Sequence, residues 1–190
     1  NIVLHAVVAA PPRRPGGGRC ARAAGAEIAA GIVGADRATA AAAVEHGEVG
    51  VEVLQHHLGR KLDLFDAFQI MEALAELKTL IPIPVIVVHT RYWALAYGEN
   101  AARFGRALKA GITLATTRFR YGDDFTVENY SEVEGRAHRE DSAIFSNAIN
   151  SVPGNKLCCV PVPDVEQSNG TTIGLGDAFV GGFLPAAIID

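Results

Sequence analysis

The chain has 190 residues, of which 49% are hydrophobic, and a formal charge of −4. This is enough apolar material for one buried core, and without a basic excess there is no electrostatic footprint for nucleic acid. No apolar run reaches the roughly 18 residues of a membrane span and no signal peptide is recognisable, so a cytoplasmic protein without membrane or nucleic-acid partners is expected.

Asn1 to Ala9 is a short apolar run that reads as a buried strand. It ends at Pro11-Pro12-Arg13-Arg14-Pro15-Gly16-Gly17-Gly18. Residues 8–43 form an atypical Ala/Gly/Arg/Pro-rich segment. None of the eight Phe, four Tyr and one Trp precedes Phe65, so this segment lacks the large side chains that close-packed cores need. It reads as a disordered linker or as the product of a shifted reading frame. The single methionine is Met71, which suggests a fragment or a processed product.

From Ala38 to Leu58 helix formers occur with weak periodicity, interrupted by Gly47 and Gly50. Asp63 can cap a helix in which Leu64, Phe68, Met71, Leu74 and Leu77 recur at three- and four-residue spacing. Pro82 and Pro84 end it. Val85 to Val88 is a continuous β-branched run, the pattern of a strand covered on both faces. Glu99 to Gly111 returns to helical spacing, and Ile112 to Phe119, rich in threonine, reads as another helix. Asp123-Asp124, Glu128, Glu132 and Glu134 read as a solvated acidic loop. Leu157 to Val162 is a second short buried strand, and Ala178 to Ile189 completes the last helix. Alternating strands and helices predict an α/β fold with a mostly parallel sheet and helices on both faces.

The segment Thr171-Thr172-Ile173-Gly174-Leu175-Gly176-Asp177 stands where a loop meets an apolar helix. The glycines let the backbone approach an anion, which a helix N-terminus favours. Asp177 in the first turn can accept a proton from an attacking hydroxyl. Such glycines also make ordinary turns, and such an aspartate also compensates a helix dipole. The position after a buried strand and an irregular loop gives the motif its weight. In a parallel sheet ligands bind beyond the strand C-termini, where His89-Thr90-Arg91 and Pro161-Val162-Pro163 also fall.

His89 at a strand end is either a structural histidine or a contact to a nucleotide. Arg118, in an apolar setting, requires an anion: Asp123, Asp124 or a bound phosphate, with a protein carboxylate preferred. His46, Glu48, His56 and His57 lack the spacing of a zinc site. Cys20, Cys158 and Cys159 suit neither a disulfide framework nor a metal, and the last two read as small residues of a buried strand. Tyr92, Trp93 and Tyr97 read as packing residues, and no Ser-His-Asp triad is legible.

Four segments together resemble the ADP-dependent sugar kinases, the ADP-dependent phosphofructokinases and glucokinases of the ribokinase-like superfamily. They are Val87 to Trp93, Ile112 to Arg118 with Tyr121-Gly122-Asp123, Val160-Pro161-Val162, and Thr171 to Asp177. The resemblance covers roughly Leu64 to Asp190 and implies that the chain (1–190) is the C-terminal portion of a ribokinase-like three-layer kinase domain. It implies Asp177 as general base, and Gly174, Leu175 and Gly176 amides around the transferred phosphoryl; Arg118 joins them as an anion-binding candidate on its apolar setting alone. His89, Val160, Pro161 and Val162 would line the adenine pocket. The implied reaction moves the β-phosphoryl of ADP to a hexose or hexose phosphate in glycolysis, with magnesium bridging the phosphates and AMP released. Arg91-Tyr92-Trp93 favours phosphofructokinase over glucokinase.

The family's His-x-Glu motif would fall near His5-Ala6-Val7 and its Asn-x-x-Glu motif near Gly34 to Thr39, and neither is present. The metal ligands therefore stay unassigned, as do the acceptor sugar and the oligomeric state. The rival readings are an ATP-dependent ribokinase-like carbohydrate kinase, a non-catalytic nucleotide-binding fragment, and a product unable to fold stably.

Overall fold

The structure, a computed structural model, describes residues 2–7, 59–80, 84–166 and 173–189. The 8–43 segment, the stretch to Leu58, Cys20, the His46 and His56-His57 groups, Pro82 and Thr171-Thr172 lie outside the described residues.

In chain order the elements are β1 (Ile2–Val7), α1 (Ala67–Leu80), β2 (Val85–Thr90), β3 (Trp93–Gly98) and a 3-10 turn (Ala101–Phe104). They continue with α2 (Gly105–Tyr121), α3 (Val127–Glu134), α4 (Glu140–Asn150), β4 (Leu157–Pro161) and α5 (Leu175–Ile189). The expected strands and the expected last helix are present. Asp66, not Asp63, caps α1: its carboxylate accepts from the Phe68 and Gln69 amides at 3.0 and 3.1 Å. Asp63 turns the chain just upstream, accepting from the Phe65 amide. The buried stripe of α1 runs through Ile70, Ala73, Leu74 and Leu77, leaving Phe68 exposed.

The sheet has the order β1-β2-β3-β4 and every neighbouring pair is antiparallel. This corrects the expected parallel sheet, and the reason is local. Only Arg91 and Tyr92 separate β2 from β3, and so tight a connection permits a hairpin but not a crossover. The Thr90 hydroxyl closes this turn, accepting from the Tyr92 and Trp93 amides at 2.9 Å each. The β-branched run of β2 reports coverage, not direction: all six of its residues are buried.

Helices do lie on both faces. On one, α1 and α4 pack against Ile86, Val88, Leu95 and Cys159. Trp93 anchors this layer, stacked on Phe145 at 4.9 Å and donating from Nε1 to the Leu64 carbonyl. On the other, α2 and α5 pack against Val85, Val87, Ala94 and Ala96.

Two further differences concern helices. The stretches 99–111 and 112–119 form one helix, α2, entered through the 3-10 turn. Gly111, which looks like a helix end, is a contact surface: a Cβ there would lie 2.9 Å from Phe179. Part of the supposed acidic loop is the helix α3, started by a reciprocal capping box between Thr126 and Asn129.

Candidate active site

Although no neighbouring strands are parallel, β2 and β4 both pair antiparallel with β3 and therefore point the same way. Their C-terminal ends, Thr90 and Pro161, share one edge of the sheet. The Val162 amide donates to the Tyr92 carbonyl across that edge at 2.9 Å. The convergence expected from a parallel sheet is thus reached by a different route.

The helices α2 and α5 bring the glycine turn to the same edge. They run antiparallel: Phe104 stacks on Phe183, Gly111 meets Phe179, and Arg118 reaches Gly174. Gly111 and Gly182 let the helices approach closely, since a Cβ on Gly182 would lie 2.6 Å from the Ala110 carbonyl oxygen. The C-terminus of α2 consequently lies beside the N-terminus of α5.

Gly174 has φ 72° and immediately precedes α5. Its carbonyl accepts the first helical bond, from the Ala178 amide at 3.0 Å. The amides of Leu175, Gly176 and Asp177 form the first turn, where helix geometry provides no intrahelical acceptor. Asp177 is exposed, while Gly174, Leu175 and Gly176 are half-buried.

Arg118 joins the two helices. Its Nε donates to Asp123 Oδ1 at 2.6 Å and its Nη1 to the Gly174 carbonyl at 2.5 Å. The preferred sequence reading, a protein carboxylate as the partner of Arg118, is met by Asp123. The link to Gly174 spans 56 positions and carries no sequence signal.

His89 is buried, 6% exposed, with its ring stacked on Phe179 at 4.1 Å. Strand register sets His89 beside Ala94, and Ala94 beside Val160. Val160 and Pro161 are half-buried and Val162 is buried. The backbone of Val162 is engaged on both sides, since its carbonyl also accepts from the Arg139 amide. Sequence reasoning missed Phe179, because one phenylalanine in an apolar helix does not announce which ring it covers.

Glu132 on α3 braces this edge from outside. It accepts from Arg136 Nε at 2.5 Å and from the Tyr121 hydroxyl at 2.9 Å, with Arg120 Nε at 3.8 Å. Partial desolvation opposes ionisation of Glu132, but these donors and cations together hold its carboxyl below the usual glutamate range. Arg136 also donates to the Asp164 carbonyl, tying α3 to the chain that follows β4.

Burial raises both Cys158 and Cys159, the latter to about 12, and Cys159 contacts the Ser146 hydroxyl at 3.3 Å. These thiols are packing groups. Among the described residues no group of three His, Cys, Asp or Glu side chains is placed to hold a metal ion, and no helix is long and apolar enough to cross a membrane.

Comparison with solved structures finds a similar fold elsewhere. A phosphofructokinase from Pyrococcus horikoshii OT3, solved with AMP, superposes with a TM-score of 0.55 at 17% identity, over 79% of this chain and 34% of that one. An ADP-dependent kinase in complex with fructose-6-phosphate and ADPβS gives 0.53 at 14% identity, over 67% and 33%. A last common ancestor of ADP-dependent phosphofructokinases from Methanosarcinales gives 0.52 at 14%, over 67% and 31%. The fold is shared. The chain spans about a third of the length of these structures. No protein-family model and no curated protein sequence matches it.

Proposed function

We propose that this chain is the C-terminal, nucleotide-binding part of an ADP-dependent sugar kinase with a ribokinase-like fold, of the phosphofructokinase type. The observation that carries this reading is the placement of the Gly174–Asp177 turn. It lies at the N-terminus of α5, on the sheet edge where β2 and β4 end, in a fold similar to that of ADP-dependent kinases.

In this reading the amides of Gly174, Leu175 and Gly176 hold the transferred phosphoryl as its charge develops. Arg118 supports that cradle. The Asp177 carboxylate, exposed at the first turn, takes the proton of the attacking sugar hydroxyl. The β-phosphoryl of ADP passes to a hexose or hexose phosphate and AMP leaves, a reaction that belongs to glycolysis in the cytoplasm. The base rests at the strand ends of His89 and Val160 to Val162, where Val160 and Pro161 are the half-buried members and His89 is buried in the stack with Phe179. Magnesium, which supplies charge neutralisation on the phosphates, would arrive with the nucleotide, a mode that uses few protein carboxylates.

Calorimetric titration of the 190-residue chain with ADP, then ATP, in the presence of magnesium tests the donor. Saturable binding that favours ADP supports the reading. Preference for ATP replaces it with an ATP-dependent ribokinase-like kinase. The chain spans only a third of the similar structures, so turnover belongs to a version completed with the remaining part of the kinase. There Asp177→Asn is expected to abolish turnover and leave ADP binding largely intact. Unchanged turnover would leave a nucleotide-binding module without catalysis by this residue.

A further inference from the structure

We infer that Arg118 is a positioning residue: with Asp123 it fixes the Gly174 carbonyl, and through it the first turn of α5, without itself holding the transferred phosphoryl. The inference rests on the proposed function for the identity of the anion, but its geometry stands independently.

Two N–H groups of the guanidinium fork are engaged within the protein, Nε with Asp123 and Nη1 with Gly174. The carboxylate is delivered by a local turn. Gly122 leaves α2 with φ 81° while its amide bonds back to the Arg118 carbonyl at 2.8 Å, and the chain reverses so that Asp123 lies beside Arg118. The acceptor is equally specified. Gly174 has a positive φ, and a Cβ at this position would fall on the Arg118 guanidinium, so both conformation and space demand glycine.

The Gly174 carbonyl also accepts from the Ala178 amide. Its direction therefore sets the first helical bond and, with it, the aim of the amides that follow. Electrostatics agrees. A bare guanidinium beside the positive end of a helix would be repelled by the dipole, and Asp123 offsets that charge. The Arg118 side chain is 23% exposed and that of Asp123 69% exposed, so the carboxylate covers the outward side of the pair.

The two roles predict opposite signs for one substitution. If Arg118 were a direct phosphate ligand, Asp123→Asn would remove a competing anion and tighten ADP binding. Positioning requires Asp123→Asn to weaken binding, by roughly 3- to 10-fold, with no further loss when it is added to Arg118→Ala, as residues acting in one network are non-additive. Tightening, or full additivity of the two losses, overturns the inference.

A second readout needs no nucleotide. Amide hydrogen exchange of Ala178 should accelerate in Arg118→Ala, in Asp123→Asn and in Arg118→Lys, because an ammonium cannot reproduce the planar fork. Unchanged exchange in all three variants overturns the inference. If the parent chain binds no ADP, the proposed function fails, and the exchange data still decide the role of Arg118.

Discussion

The ring of His89 lies almost flat on that of Phe179, with centroids 4.1 Å apart and planes 12° from parallel. The contact joins the strand end of β2 to α5 two residues after Asp177. It is extended by Phe183, whose ring stacks on Phe179 at 5.7 Å. An aromatic column therefore seats the glycine turn on the sheet.

Removing the middle ring should be severe. Phe179 is 1% exposed, and truncation of a fully buried phenylalanine to alanine costs about 3–5 kcal/mol. Urea unfolding of Phe179→Ala measures this. A loss below about 1 kcal/mol would mean that α5 is not held as described.

The helix glycines should divide into two kinds. Gly182→Ala places a Cβ 2.6 Å from a backbone oxygen of α2 and should destabilise by about 1–3 kcal/mol. Gly181→Ala meets only Leu114 Cδ2, at 3.8 Å, and should stabilise by about 0.5–1 kcal/mol through helix propensity. Thermal melts of the pair check the contrast, and shifts of the same sign for both would refute the close α2–α5 contact.

Thr126→Ala should cost about 1 kcal/mol by removing the cap of α3. Thr126→Ser keeps the hydroxyl and should recover most of it. Helicity and urea midpoint decide, and equal losses in the two variants would assign the effect to packing instead of the cap.

Glu132 makes stability depend on pH in a defined direction. Its folded pKa lies below the ordinary value of 4.5, so its contribution is fully present above that value and is lost as pH falls through the folded pKa. The stability difference between the parent chain and Glu132→Gln should therefore be largest near neutrality and shrink below about pH 4.5. Denaturation midpoints across the acid range measure it. A difference that does not change with pH would show that Tyr121 and Arg136 gain nothing from the charge.

Cys159 should resist alkylation in the folded chain at neutral pH, being buried with its pKa near 12. Mass spectrometry after iodoacetamide treatment should find it modified only when denaturant is present. Modification under native conditions would show that β4 opens readily.

The sequence revealed which stretches are buried, but not how they pair. The run Val85 to Val88 reports two covered faces, and both are covered. Direction was legible only from the short span between Thr90 and Trp93, once Trp93 to Gly98 is recognised as a strand. The small alanines of that strand hide it, because they are chosen for the close passage of helices and not for β propensity. Gly111 misled for a related reason, since glycine marks both helix ends and helix crossings. At the candidate site, the turn at Gly174 and the helix after it were legible because their signals are local. The arginine bridge was not, because its acceptor is a backbone carbonyl far along the chain.

The strand pairing also sets an order of assembly. The β2–β3 hairpin closes across Arg91 and Tyr92 and can form on the microsecond scale of such hairpins. The pairing of β3 with β4 and the docking of α5 on α2 each close long loops and come at greater entropic cost. The edge that carries the glycine turn needs both. Its formation therefore belongs to the late, slow part of folding, and a chain stalled after the hairpin would hold half its sheet and no seat for the Gly174 turn.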